Sequence, residues 1–108
     1  MPDPTEPNAT PLRSEFADDP DMAELIELFV AEMPDRVSEL HRSLESGDID
    51  QLESIAHQLK GACGGYGFEV IGHAAAALEQ VVRSGERDVS ALRSEVESLV
   101  TLCSRAIA

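Results

Sequence analysis

From Asp19 onward the apolar residues of this chain recur at three- and four-residue spacing, and no segment alternates with period two. A chain with that pattern can bury its apolar surface along helix stripes but not on one face of a sheet, so an all-α fold without strands is expected. Five stripes follow one another: Met22, Leu25, Ile26, Phe29 and Met33; Val37, Leu40, His41 and Leu44; Leu52, Ile55, Ala56, Leu59 and Cys63; Val70, Ile71, Ala74, Leu78, Val81 and Val82; and Val89 through Leu92, Val96, Leu99, Val100, Cys103 and Ile107.

The residues between the stripes carry start and stop signals. Asp19-Pro20 supplies an N-cap followed by the residue best tolerated in a first helical turn. Pro34 must break or kink the path, and both outcomes fit the sequence. Gly47 offers a left-handed stop. Asp48 restarts the chain, with Gln51 three residues on to complete a capping-box-like exchange, and Asp88 caps the last segment after Gly85. The Gly64-Gly65-Tyr66-Gly67 cluster should end or loosen the third stripe, since each interior Gly costs about 1 kcal/mol against Ala. Ala74 to Ala77 reads as close helix packing. Short connections force antiparallel neighbours, hence an up-and-down antiparallel four-helix bundle with an additional N-terminal helical segment. There is no internal repeat.

Residues 1–13 are rich in Pro, Thr, Asn and acid with almost nothing to bury, and read as a disordered leader to a domain over residues 14–108. With 21 acidic against 8 basic side chains the formal charge is -13, which repels nucleic acid and anionic lipid. No uncharged stretch approaches the ~18 residues a membrane span needs, and the first residues lack the basic-then-apolar order of a signal peptide. A cytoplasmic location is the default expectation. Cys63 and Cys103 both fall on or near apolar stripes and read as small buried hydrophobes rather than a disulfide.

One residue stands apart from this packing logic. Leu52, Ile55, Ala56, Leu59 and Cys63 gather within roughly 65° of one line on a helical wheel, and His57 points about 135° away from it, toward water. At i+3, i+4 and i+7 stand Lys60, Gly61 and Gly64, a cation and two residues without side chains. A neutral imidazole is a competent nucleophile near pH 7, because an ordinary value of about 6.5 leaves one ring nitrogen unprotonated. An exposed His can therefore attack an acyl-phosphate and release the phosphoryl group again, with Lys60 offsetting the added charge and Gly61 leaving space for a partner.

The pattern His-x-Leu-Lys-Gly with a further Gly six residues on, here His57, Leu59, Lys60, Gly61 and Gly67, resembles the phosphoacceptor signature of histidine-containing phosphotransfer (HPt) domains of phosphorelays. Leu28-Phe29, Leu40, Leu44, Gly47-Asp48, Ala56 and Leu78-Glu79 also fall where that family places such residues, so the likeness covers roughly Ser14 to Ala106. Gly64 and Gly65 depart from it, standing where better helix formers are usual. The resemblance implies that His57 is the phosphoacceptor and Lys60 its charge support, with Gly61, Gly64 and Gly67 forming the receiver docking surface and the helix turn. It implies a response-regulator receiver domain and a hybrid sensor histidine kinase as partners, with Mg²⁺ and the phosphorylatable Asp on the receiver, and a chain that needs no cofactor of its own and acts as a monomer. The chain itself has no Walker motif and no Gly-rich loop after a strand, so no ATP chemistry is expected of it.

Two other readings compete. A non-catalytic helical adaptor would use the His57 surface for docking alone. A metal-binding bundle would need His41, His57 and His73 to converge, but no His-x₃-His or Glu-x-x-His pair is present to seed such a site. His41 and His73 read as boundary residues.

Overall fold

The computed structural model describes residues 10–108, so the first nine residues of the expected leader lie outside the described residues. Helices run over Ala23–Ala31 (α1), Met33–Ser46 (α2), Ile49–Tyr66 (α3), Glu69–Arg83 (α4) and Val89–Arg105 (α5). The last four form a closed ring in which α3 lies against α2 and α4, and α5 against α2 and α4. Successive members are joined by Gly47-Asp48, by Gly67-Phe68 and by the residues from Ser84 to Asp88. This is the expected four-helix bundle, with α1 as the additional N-terminal segment packed on α2 and α3.

The side-chain caps on α3 and α5 form as expected, but the return half of the exchange at Asp48 does not: its N–H donates to Ser43 O at 2.9 Å rather than to the Gln51 side chain. Asp48 accepts a hydrogen bond from Gln51 N at 3.1 Å, and Asp88 accepts one from Ser90 N at 2.9 Å. At the other end of α2, Gly47 takes φ +73°, the left-handed conformation that releases a chain from a helix. Asp19 differs from expectation. Its side chain accepts from Asp21 N and its carbonyl from Met22 N, closing a turn, and α1 begins only at Ala23 without a side-chain cap. At Pro34 the path breaks: Glu32 alone separates α1 from α2, and Pro34 occupies the first turn of α2, where its missing N–H costs nothing.

The core is a single cluster in which Leu40, Leu44, Leu52, Leu59, Ile71, Leu78, Leu92, Val96 and Leu99 are all fully buried. Three stripe members face out instead, Ile107, which lies beyond the end of α5, and two within helices, Leu25 on α1 and Val70 on the first turn of α4. Leu25 and Val70 each stand at the margin of a stripe, beside a residue, Ile26 or Ile71, that takes the inward position. Helices α3 and α4 approach closely at Gly72, where an added Cβ would stand 3.2 Å from that of Cys63. Of the alanine run Ala75 is buried and Ala77 exposed. Both cysteines are free and buried, and burial pushes their thiols up to about 11 for Cys63 and about 12 for Cys103. Their place in the structure is packing.

Two expectations are corrected. Helix α3 continues through Gly64 and Gly65 and ends only at Gly67, which takes φ +80°. And a short sheet exists: Leu12–Arg13 (β1) pairs in parallel with Ala106–Ile107 (β2), Leu12 opposite Ala106 and Arg13 opposite Ile107. Two-residue strands leave no alternation to read, and their pairing is decided by where the bundle brings the two ends. Leu12 and Arg13 thus belong to the fold, not to the leader.

The two corrections share a cause. Following β1, the Ser14 hydroxyl, 6% exposed, donates to the Tyr66 carbonyl at 2.6 Å, and Glu15 N donates to Gly67 O at 2.9 Å. Carbonyls in the last turn of a helix have no partner within it, and here the N-terminal segment supplies them. Tyr66 in turn stacks on Phe29 of α1 with ring centroids 4.8 Å apart. Tertiary contacts at the helix end therefore outweigh the low propensity of its glycines. Ser14→Ala should lower stability by about 1 kcal/mol, and deletion through Arg13 by more, in urea denaturation. An unchanged unfolding midpoint for both variants would show that this segment adds nothing to the helix end it covers.

Candidate functional site

Helix α3 presents His57 on the face opposite its buried stripe, and the side chain is 62% exposed. Its Nδ1 lies 2.6 Å from Oε2 of Glu79 on α4. One turn along α3, Lys60 Nζ donates to the other oxygen, Oε1, at 2.9 Å. Arg83, one turn beyond Glu79 on α4, brings its guanidinium to 3.4 Å from Oε2 and to 3.8 Å from Oε1 of Glu53. Two hydrogen bonds and one ion pair thus converge on the carboxylate of Glu79, a residue only 3% exposed. A buried charge persists only when it is paired and hydrogen-bonded, and this one is.

The electrostatic result is an ionised Glu79. The Lys60 hydrogen bond above all holds its carboxyl below the ordinary value, against burial, which pushes the other way; the His57 hydrogen bond and the charges of Arg83 and Lys60 add to the lowering. An ionised carboxylate can only accept, so the proton between it and the ring sits on Nδ1. In the neutral ring the lone pair is then on Nε2, on an exposed side chain. The ring is held in one tautomer and one orientation.

The surface beside it is bare. An added Cβ at Gly61, Gly64 or Gly65 would meet no heavy atom within 4 Å. Gly67 is different and corrects the expectation that it belongs to the docking surface: it is buried, and a Cβ there would stand 2.6 Å from Ser14 Oγ and 3.0 Å from Glu15 N. Its part is the turn alone. His41 pairs with Glu97 at 3.3 Å on the α2–α5 side, and His73 is exposed on α4 rather than at a boundary. Among the described residues no three His, Cys, Asp or Glu side chains gather as a metal ion requires.

Sequence reasoning singled out His57, Lys60 and Gly61 but gave Glu79 no role at the site. A signal for it was present: Glu79 falls in step with Ile71, Ala75, Leu78 and Val82, so a charged residue occupies an inward position. Arg83 follows as its i+4 partner. Lys60 is the only lysine in the chain.

A family model for the Hpt domain matches residues 24–107. The chain belongs to the Hpt domain family. Hpt domains carry phosphoryl groups in two-component systems rather than catalyse their own chemistry, and they interact with receiver and kinase domains of those systems. No match was found among the curated proteins or among the solved structures. No described helix of this Hpt domain is long and apolar enough to cross a membrane.

The Glu79 network has a pH signature. Because the folded carboxyl is held below its unfolded value of 4.5, its stabilisation is fully present above that value and is lost as pH falls through the folded one. Glu79→Gln should therefore be less stable than the parent at neutral pH, with the gap closing below about pH 4.5. Urea titrations across that range measure it. A gap that stays constant into acid would mean Glu79 is not held as the anion.

Proposed function

We propose that this Hpt domain is a phosphorelay intermediate in which His57 Nε2 accepts a phosphoryl group from the aspartyl phosphate of a receiver domain and passes one to a receiver in turn. The observation that carries the reading is the 2.6 Å contact between Nδ1 and Glu79, which fixes the proton on one nitrogen and leaves the exposed one nucleophilic. In the forward step the Nε2–P bond forms and the bond between phosphorus and the aspartyl oxygen breaks, the Asp leaving as carboxylate. The ring, still protonated at Nδ1, becomes cationic, and the ionised Glu79 beside it stabilises that developing charge. Lys60 offsets the negative charge of the incoming group.

The receiver would bring Mg²⁺ and the catalytic groups, and a hybrid sensor kinase would stand upstream. Those partners imply a cytoplasmic site of action, with this domain engaging them as a monomer. Gly61 and Gly64 serve the reaction by leaving the approach to Nε2 open, since in-line transfer demands reacting atoms about 3 Å apart.

Incubating the domain with a phosphorylated receiver should give acid-labile phosphate on the parent chain and none on folded His57→Gln. A parent chain that binds the receiver yet takes no label would instead support the adaptor reading, in which the same surface only docks. Gly61→Gln should keep its helicity by circular dichroism and take label roughly tenfold more slowly, because its side chain stands about 40° from the ring. An unchanged rate would remove the bare face from the mechanism.

A further inference from the structure

Before transfer, the charges around His57 balance. Lys60 and Arg83 face two carboxylates, Glu79 and Glu53. A phosphoryl group on the ring would add between one and two negative charges. Lys60, three residues from His57 on the same helix face, is the cation best placed to meet them, but it is already held by Oε1 of Glu79 at 2.9 Å. Turning toward the phosphoryl group would strip Oε1 of this buried carboxylate of its donor, and a buried acceptor atom left without a partner is costly.

Arg83 offers the replacement. Its side chain is 56% exposed, its guanidinium already stands 3.4 Å from Glu79, and its other contact, to Glu53, is longer at 3.8 Å. A guanidinium can also present two parallel N–H groups to both oxygens of a carboxylate, which an ammonium cannot. We propose that Arg83 is a positioning residue for phosphoryl transfer: it closes on Glu79 as Lys60 leaves, so that Lys60 can serve the phosphoryl group while Glu79 stays paired and keeps the His57 ring in place.

The inference rests on His57 as acceptor, and the test separates the two. The full chain is incubated with a phosphorylated receiver and, separately, with phosphoramidate, a small donor that needs no docking surface. A parent chain labelled by neither donor overturns the acceptor reading itself. With a labelled parent, Arg83→Gln should lower uptake about fivefold with either donor, the rate equivalent of about 1 kcal/mol. Because Arg83 acts by freeing Lys60, the same substitution in a Lys60→Gln background should change uptake by less than about twofold. Arg83→Lys, which keeps the charge but not the paired N–H groups, should recover only part of the loss. Glu53→Gln, which releases Arg83 from its competing carboxylate, should take up phosphate at least as fast as the parent. Equal losses from Arg83→Gln in both backgrounds, no loss in the parent background, or a slower Glu53→Gln would each overturn the proposal.

Discussion

The site depends on one carboxylate that is kept from water and never left alone. Glu79 sits at an inward position of α4, and the ring of His57, the ammonium of Lys60 and the guanidinium of Arg83 are its replacement for solvent. Each donor gains from the arrangement. The imidazole acquires a fixed tautomer, Lys60 a fixed direction, and α3 a polar tie to α4 alongside the close approach at Gly72. Were Glu79 on the exposed face, water would compete for every one of these contacts and none would orient the ring.

Much of this was legible in the sequence. The outward direction of His57 follows from the angle between it and Leu52, Ile55, Ala56, Leu59 and Cys63, and the structure places all five in the core. The starts of α3 and α5 follow from Asp48 and Asp88, whose short acceptors match the first free N–H groups of a helix. What escaped was nonlocal. The contact between His57 and Glu79 joins residues 22 apart on different helices, and the pairing of β1 with β2 joins the two ends of the described chain. The strand pairing leaves no periodic trace, and the period of α4 marks Glu79 as inward without naming its partner. The extent of α3 was misread for a related reason: propensity counts Gly64 and Gly65 but not the stacking of Tyr66 on Phe29 or the hydroxyl of Ser14.

The glycines of α3 divide by what surrounds them rather than by their spacing in the signature. Gly61 and Gly64 face open space, where a side chain would fit the fold and obstruct only a visitor. Gly67 faces Ser14 and Glu15 in a left-handed turn, where a side chain would obstruct the fold itself. A single short motif thus mixes residues answerable to a partner with one answerable to the chain's own backbone.

The parallel pair of Leu12–Arg13 with Ala106–Ile107 has a consequence for the order in which the molecule assembles. It closes a loop of nearly the whole described chain, and contacts of such long sequence separation form only after the local helices have paid their loop-closure entropy. The bundle can therefore assemble before its clasp, and the clasp, built from two-residue strands, is the natural first place to open in the native state. Opening there uncovers the carbonyls of Tyr66 and Gly67 and hands the glycine-rich end of α3 back to its own weak propensity. The helix that carries His57 would then shorten from the far end, with the ring and its carboxylate still joined two turns away.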